Sequence, residues 1–273
     1  LCINSLKSNK LLSSPITTNK QIASQSPIGH LFTELQTVNS TNSYAMHLVQ
    51  AKMAVHGEAF FAHHQTAGKG RQGKVWHAEV NSSIILSVII DASILQIHQQ
   101  FYLSAMVALA VNDFIKKYAG AKTKIKWPND IYYNDSKAAG ILIENKVKGN
   151  NWQWAVVGIG VNINQLQFSD DLQNAISLAQ ITSHKYNVVE LAKELCQCLQ
   201  ERYLQLKQLE FKKIMADYNH NLYKKSKLVK LKKANVVFAC TINKVTDNGN
   251  LLVTGGLQDR FEFGEVSFVI EKN

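Results

Sequence analysis

Hydrophobic and polar positions follow two different periods along this chain of 273 residues. Apolar residues at helical spacing predict a helix that begins after Ser40 and two longer helices at 101–118 and 188–209. Short apolar or alternating runs predict strands at 58–64, 84–90, 122–126, 138–144 and 154–162. Helices and strands are therefore interspersed from about Leu31 onward.

The pattern changes at both ends of the chain. Residues 1–27 are rich in Ser, Asn, Thr and Lys and contain no acidic or aromatic residue, so we expect a disordered or poorly ordered tail. After residue 224, short apolar runs separated by turn signals predict a small β-barrel or sandwich. We therefore predict three parts, at 1–27, 28–224 and 225–273.

The composition excludes several classes of protein. With 46% hydrophobic residues and only three prolines, the chain is neither globally disordered nor of low complexity. Its apolar runs, such as that at 84–90, are far shorter than the roughly 20 residues that span a membrane, and no secretory leader pattern is present. The four cysteines form no C-x-x-C pair, which favours a reducing compartment. We expect a soluble cytoplasmic protein.

The formal net charge of +10 is unevenly distributed. Residues 212–233 contain eight lysines against Asp217, and residues 1–33 contain three lysines and no acid. The rest of the chain is close to neutral. Such a lysine-rich segment is typical of a solvated surface and, less often, of a nucleic-acid-binding patch.

Three stretches have residue types suited to binding a ligand. The loop 68–74, with the sequence GKGRQGK, combines backbone freedom with cations that can converge on an anion. In the segment 126–130, with the sequence KWPND, Asn129 and Asp130 offer oxygens suited to Mg²⁺, and Lys137 follows. Gly158 and Gly160 interrupt an apolar strand, which indicates close approach of another group. Taken singly, a flexible basic loop would explain the first stretch about equally well. A lysine that snorkels and a β-bulge without a ligand would be the commoner explanations of the other two.

Taken together, in order and spacing, these stretches resemble those of biotin protein ligases, also called biotin–[acetyl-CoA carboxylase] ligases. The resemblance extends from about Leu31 to Ser267. It rests on Ser40 to Asn42, Gln65 to Trp76, Lys126 to Asp130, Lys137 to Leu142, Gly158 to Asn162 and Gly264 to Ser267.

The resemblance implies a fold and a reaction. The fold is α+β, with a mixed sheet and flanking helices like those of class II aminoacyl-tRNA synthetases, followed by a small SH3-like β-barrel. The reaction joins biotin to ATP as biotinyl-5′-AMP and transfers biotin to a lysine of the biotin carboxyl carrier protein. The implied cofactor is Mg²⁺, there is no tightly bound redox cofactor, and the protein is a monomer or a homodimer that binds neither a membrane nor a specific nucleic acid.

The resemblance also implies roles for individual residues. The implied catalytic residues are Lys137, Arg71 and Lys69. The implied biotin-binding residues are Ser40, Thr41, Asn42, Gln65, Gly68, Lys69, Arg71, Lys137, Gly140 and Gly158. The implied ATP- and adenylate-binding residues are Gly70, Arg71, Gln72, Gly73, Lys74, Trp76, Lys126, Trp127, Asn129, Gly160 and Asn162. Asn129 and Asp130 are the implied metal ligands.

Two departures from the family pattern affect these expectations. Lys69 and Lys74 stand where arginine is more usual, so we expect phosphate retention to depend more heavily on Arg71. The roughly 30 residues before the catalytic part are too few for the winged-helix domain of the repressor members, so we expect no repressor role.

Two other functions remain open at this point. A lipoate ligase or octanoyltransferase would use a related fold, although the loop 68–74 and the segment 126–130 favour biotin. A nucleic-acid binder built on the segment 212–233 would leave the three stretches unexplained. For the transfer step, either the phosphate or Asp130 could accept the proton of the lysine.

Overall fold

The computed structural model describes residues 26–169, 172 and 174–270. Residues 1–25, which make up most of the predicted tail, lie outside this description. Within the described residues, none of the helices combines the length and the apolar character needed to cross a bilayer.

Seven strands form one mixed sheet. They are β1 (Phe32–Val38), β2 (Ala59–Gln65), β3 (Ser83–Asp91), β4 (Thr123–Lys126), β5 (Asp130–Tyr133), β6 (Ser136–Lys148) and β7 (Asn151–Asn162). Their order is β1-β2-β3-β7-β6-β5-β4, with β1 parallel to β2 and the other neighbours antiparallel. The long strands β6 and β7 pair through the middle of the sheet and form the base on which the site is built.

Five α-helices accompany this sheet within the described part of the chain. They are α1 (Thr41–Gln50), α2 (Gln100–Ala119), α3 (Leu178–Thr182), α4 (Val188–Lys207) and α5 (Phe211–His220). The Ser40 hydroxyl accepts a hydrogen bond from the Ser43 amide at 3.4 Å and caps α1, as its sequence position predicts. Gly120, with φ of 75°, ends α2.

Alternation along the strands separates two faces of the sheet. On β3, Ile84 and Leu86 belong to the main hydrophobic core together with α2 and α4, whereas Ile89 packs with Ala45 and Val49 of α1. Because side chains alternate in a strand, Ser87 points to the same side as Ile89. The face that α1 covers is therefore the one on which polar residues and glycines collect.

The chain ends in a second, five-stranded antiparallel sheet. Its strands are β8 (Leu228–Lys233), β9 (Val236–Val245), β10 (Leu251–Thr254), β11 (Arg260–Phe261) and β12 (Ser267–Val269), in the order β11-β10-β9-β8-β12. Leu231, Ile242 and Phe261 belong to the same hydrophobic cluster as α2, so the small sheet packs on the rest of the chain. The predicted α+β architecture, with a mixed sheet, flanking helices and a small C-terminal β unit, is confirmed.

Candidate functional site

A cavity of about 860 Å³ lies over the face of the main sheet that α1 covers. It is lined by every residue that the sequence predicts for the site except Gly68 and Gly73. Gly68 borders a neighbouring cavity instead, with its Cα close to the Trp76 carbonyl. Predicted residues from five separate stretches of the sequence thus meet in one place.

Glycines make the floor of the cavity flat. In the pairing of the central strands, Gly160 lies opposite Gly140 of β6 and Ile85 of β3. A Cβ atom added to Gly160 would overlap the Trp76 ring, and one added to Gly140 would come within 3.3 Å of it. The close approach expected for Gly160 is therefore that of an indole ring.

The neighbouring row of the floor meets α1 in the same way. Gly158 lies opposite Leu142 of β6 and Ser87 of β3. A Cβ atom on Gly158 would overlap the Asn42 side chain. This glycine therefore lets the first turn of α1 approach the sheet.

Polar side chains at this end of the cavity hydrogen-bond to one another. The Thr41 amide and hydroxyl donate to Gln65 Oε1 at 2.7 and 3.1 Å. Ser87 Oγ donates to Asn42 Oδ1 at 2.6 Å, and Asn42 Nδ2 donates to Glu144 Oε2 at 2.8 Å. Ser87, Thr41 and Asn42 are all buried. We call these five residues the polar pocket.

The basic loop crosses the cavity as a narrow hairpin. The Gly70 amide donates to the Lys74 carbonyl at 2.7 Å, which closes the turn around a short 3₁₀ segment at 71–73. Lys69 Nζ lies 3.7 Å from Glu144 Oε1, so the loop is also connected to the polar pocket. The loop is therefore a defined structure rather than an extended surface segment.

Arg71 points from this hairpin into the cavity. Its Nη1 donates to Asn129 Oδ1 at 3.2 Å, and its guanidinium carbon lies 3.2 Å from the centroid of the Phe263 ring. Burial lowers the pKa of Arg71 to about 10, while the Asp130 charge acts in the opposite direction. Arg71 thus remains a cation at neutral pH.

Lys137 and Asp130 form an ion pair across β6 and β5. Lys137 Nζ lies 2.8 Å from Asp130 Oδ1, and both side chains are partly buried. Asn129 is oriented by its Nδ2, which donates to the Ile141 carbonyl at 2.8 Å. A lysine at the mouth of β6 is therefore held inside the cavity and does not extend along the surface.

Lys126 is a third cation of the cavity. Its Nζ lies 4.7 Å from the centroid of the Tyr132 ring and 5.1 Å from that of Phe268. Burial lowers its pKa below the ordinary value of a lysine. Among the described residues it forms no salt bridge within 4.0 Å, so its charge is available to an anion.

Three further residues belong to the predicted nucleotide side of the cavity. Asn162 Nδ2 donates to the carbonyls of Lys137 and Ile176, both at 3.3 Å, and so fixes the backbone beside Lys137. Trp76 Nε1 is buried and has no hydrogen-bond acceptor among the described residues. Trp127 lines the cavity, but its Nε1 donates to the Gly249 carbonyl at 2.8 Å.

The predicted metal ligands offer few oxygens. Within the described residues, no cluster of three or more His, Cys, Asp or Glu side chains could hold a metal ion. Asp130 Oδ1 contacts Lys137, and Asn129 Oδ1 accepts from Arg71. One carboxylate and one amide suit Mg²⁺ only when nucleotide phosphates and water complete its shell, which is how proteins commonly hold MgATP.

The cavity also contains residues that the sequence did not suggest. Ser87 does not line the cavity but lies fully buried behind Asn42, and it could have been found because a polar residue interrupts an otherwise apolar strand. Some of the additions come from two later segments, and only the packing of the chain brings them here. They are Phe168, Leu172, Asn174 and Ala175 from one segment and Phe263, Gly264 and Val266 from the C-terminal sheet unit.

Comparison with known proteins identifies the family of the central part of the chain. Residues 34–162 match the profile of the Biotin/lipoate A/B protein ligase family. The chain is 34% identical over 171 residues to the bifunctional ligase/repressor BirA of Bacillus spizizenii, covering 62% of this chain and 52% of that protein. It is 34% identical over 129 residues to the biotin–[acetyl-CoA-carboxylase] ligase of Mycobacterium tuberculosis, covering 46% and 47% respectively.

The chain thus spans about half the length of the curated relatives it matches. Its fold is similar to that of the biotin protein ligase from Aquifex aeolicus solved with biotin and ATP, with a TM-score of 0.73. That similarity covers 88% of this chain and 99% of the other at 21% identity. Residues 34–162 therefore form a biotin/lipoate ligase family domain, which confirms the resemblance drawn from the motifs at the level of the family.

Proposed function

We propose that this chain, which contains a biotin/lipoate ligase family domain, is an ATP-dependent ligase that activates biotin as biotinyl-5′-AMP. It then transfers biotin to a lysine of a biotin carboxyl carrier domain. One observation carries the proposal: a single cavity has the hydrogen-bonded polar pocket at one end, where Glu144 is paired with Lys69, and three partly buried cations at the other. A ureido ring fits the polar pocket, and a carboxylate and phosphates fit the cations.

Adenylation needs negative charge to be stabilised. An oxygen of the biotin carboxylate attacks the α-phosphorus of ATP, and the bond to pyrophosphate breaks. Lys137 would bridge the carboxylate and the α-phosphate, and Arg71 would hold the phosphate from the loop. Cations that are already in place are effective because they need no reorganisation as charge develops. The buried Trp76 Nε1 would find its acceptor on the adenylate.

Transfer needs a neutral amine on the incoming lysine. Its nitrogen attacks the acyl carbon, an amide bond forms, and AMP leaves. The proton would pass to the phosphate or to Asp130. Asp130 Oδ1 lies 2.8 Å from Nζ of Lys137, the residue proposed to hold the reacting carboxylate.

Mg²⁺ belongs to this proposal as part of the nucleotide complex. Asp130, with Asn129, would hold it together with phosphate oxygens and water. When bound, the ion would neutralise charge on the departing pyrophosphate.

The division of the chain near residue 224 is also part of the proposal, with the larger unit binding both substrates.

The lysine-rich segment suggests how the carrier is attracted. Lys225, Lys227 and Lys232 are exposed, and β8 places Lys232 on the outer face of the small sheet. We propose that this surface steers an acidic carrier domain, mainly by raising the association rate. Carrier biotinylation would then slow as ionic strength rises, and transfer that is insensitive to salt would contradict the steering role.

The test is ATP–pyrophosphate exchange with different acids. The protein is incubated with labelled pyrophosphate, ATP and Mg²⁺, and with biotin, lipoate or octanoate. Exchange that depends on biotin supports the proposal. Exchange with lipoate or octanoate but not with biotin would instead indicate a lipoate ligase. DNA binding that weakens with salt, without exchange, would favour the nucleic-acid binder.

A further inference from the structure

Phe263 connects the C-terminal sheet unit to the basic loop. It lies in the turn between β11 and β12, lines the cavity and contacts the Arg71 guanidinium at 3.2 Å from the ring centroid. A guanidinium over an aromatic face is stabilised by the ring quadrupole. The ring therefore restrains Arg71 at the edge of the cavity.

The turn that carries Phe263 is held in place by its neighbours. The Glu262 amide donates to Glu265 Oε2 at 2.7 Å, and Lys233 Nζ of β8 pairs with Glu265 Oε1 at 3.0 Å. Gly264, with φ of +88°, presses against the loop, because a Cβ atom there would come within 2.9 Å of Gln72 Nε2. The turn is thus anchored to the small sheet and docked on the loop.

Trp127 supports the same ring from the larger unit. The Trp127 and Phe263 rings are 6.1 Å apart in an edge-to-face arrangement. Trp127 is 3% exposed, and its Nε1 donates to the Gly249 carbonyl at 2.8 Å. Phe263 therefore contacts a fixed tryptophan as well as Arg71, which limits its freedom to turn away.

The type of partner matters for the chemistry of Arg71. Among the described residues, Arg71 forms no salt bridge within 4.0 Å, and Asn129 is the acceptor of its hydrogen bond. A carboxylate would hold the guanidinium but would also neutralise it. An aromatic ring positions the cation and leaves its charge and its remaining N–H donors for an anionic ligand.

We propose that Phe263 is a positioning residue for Arg71, through which the C-terminal sheet unit helps to retain the acyl adenylate. This inference rests on the proposed function, because it concerns the intermediate of that reaction. Phe263 touches Arg71 rather than the reacting atoms. Its effect should therefore disappear when Arg71 is absent.

The test measures release of the labelled adenylate from the full chain by filter binding. Phe263→Leu should release it about 5- to 30-fold faster, the range for a partly desolvated cation–ring contact of about 1–2 kcal/mol. Phe263→Tyr keeps the ring and should retain the adenylate like the wild type. Leu257→Ala, an exposed apolar site on the same unit, is the matched control.

A double-mutant cycle separates positioning from a general structural role. In an Arg71→Gln background, Phe263→Leu should cause no further acceleration. Equal acceleration with and without Arg71, or release by Phe263→Leu at the wild-type rate, would overturn the inference alone. If the wild type showed no biotin-dependent pyrophosphate exchange, the proposed function would fail first and this inference with it.

Discussion

The two ends of the cavity satisfy their polar groups in opposite ways. In the polar pocket, Ser87, Asn42 and Glu144 form a chain of hydrogen bonds with one another. At the other end, Arg71 lies on a phenylalanine ring and Lys126 lies over two aromatic rings. Lys137 is the exception at that end, because it pairs with Asp130 at 2.8 Å. A neutral ligand needs groups fixed in place, whereas Arg71 and Lys126 are positioned without a countercharge and so remain available to an anion.

The difference follows from the elements that supply each end. Ser87 and the glycines of the floor lie inside paired strands, where neighbouring backbones fix every position. Arg71 lies on a hairpin loop that depends on contacts with Phe263 and Asn129. The polar pocket is therefore held largely by the main sheet, whereas the position of Arg71 depends on contacts with distant parts of the chain.

Removing the bridging cation should have the largest effect. Lys137→Met leaves Asp130 without its partner and removes the charge that would meet the α-phosphate, so biotin-dependent exchange should fall about 10²- to 10³-fold. Lys146→Met, at an exposed position of the same strand, is the control and should exchange normally. Equal exchange rates for the two variants would show that Lys137 has no role in the reaction.

Loss of the loop cation should come next. Arg71→Gly should let the adenylate escape and modify bystander lysines, with release about 10- to 100-fold faster, as expected for lost hydrogen bonds from a charged group. Arg260→Gly removes an exposed arginine from the small sheet and should leave retention unchanged. Retention of the adenylate by Arg71→Gly at the wild-type rate in a filter-release assay would count against the role.

A substitution in the polar pocket should have a smaller effect, and this effect should concern the binding of the acid alone. Ser87→Ala removes the donor to Asn42 Oδ1, so the KM for biotin should rise about fivefold, for a buried hydrogen bond of about 1 kcal/mol. The KM for ATP should not change. Ser93→Ala, at an exposed position beyond the same strand, is the control. An equal rise in both KM values would show that the two ends are not independent.

Substitution of Lys126 should have the smallest effect on nucleotide binding at neutral pH. Because burial lowers its pKa, Lys126 loses its proton at a lower pH than an exposed lysine, and nucleotide binding should weaken as pH rises through that value. Lys126→Arg keeps the charge and should extend ATP binding to higher pH, with biotin binding unaffected. Lys124→Arg, on the same strand outside the cavity, should leave the profile unchanged.

Local pattern was enough to predict much of the fold. Ser40 as a cap, Gly120 as a stop and the apolar run at 84–90 each correspond to an observed boundary or strand. The strand β5 was not predicted, because its four residues follow directly on the segment 126–130 and precede a turn. The helix α5 was also missed, although Phe211, Ile214, Met215 and Tyr218 have the apolar spacing of a helix.

The site was predictable where a single stretch of sequence contains the relevant residues. The loop 68–74 and the segment 126–130 could be selected from residue type and spacing, and almost all of their chosen residues line the cavity. Their partners could not be selected in this way. Nothing near Phe263 in sequence indicates Arg71, 192 positions earlier, since that contact exists only because the small sheet docks beside the loop.

The glycine floor has a consequence for how this binding site can change. Any side chain at Gly158 would collide with Asn42, and any at Gly160 would collide with Trp76. A new acid preference therefore cannot arise by a single substitution at either glycine, because the facing residue must become smaller first. Laboratory evolution toward other acids should accordingly accept changes at Asn42 or Trp76 before changes in the floor, so the order of the mutations is constrained as well as their identity.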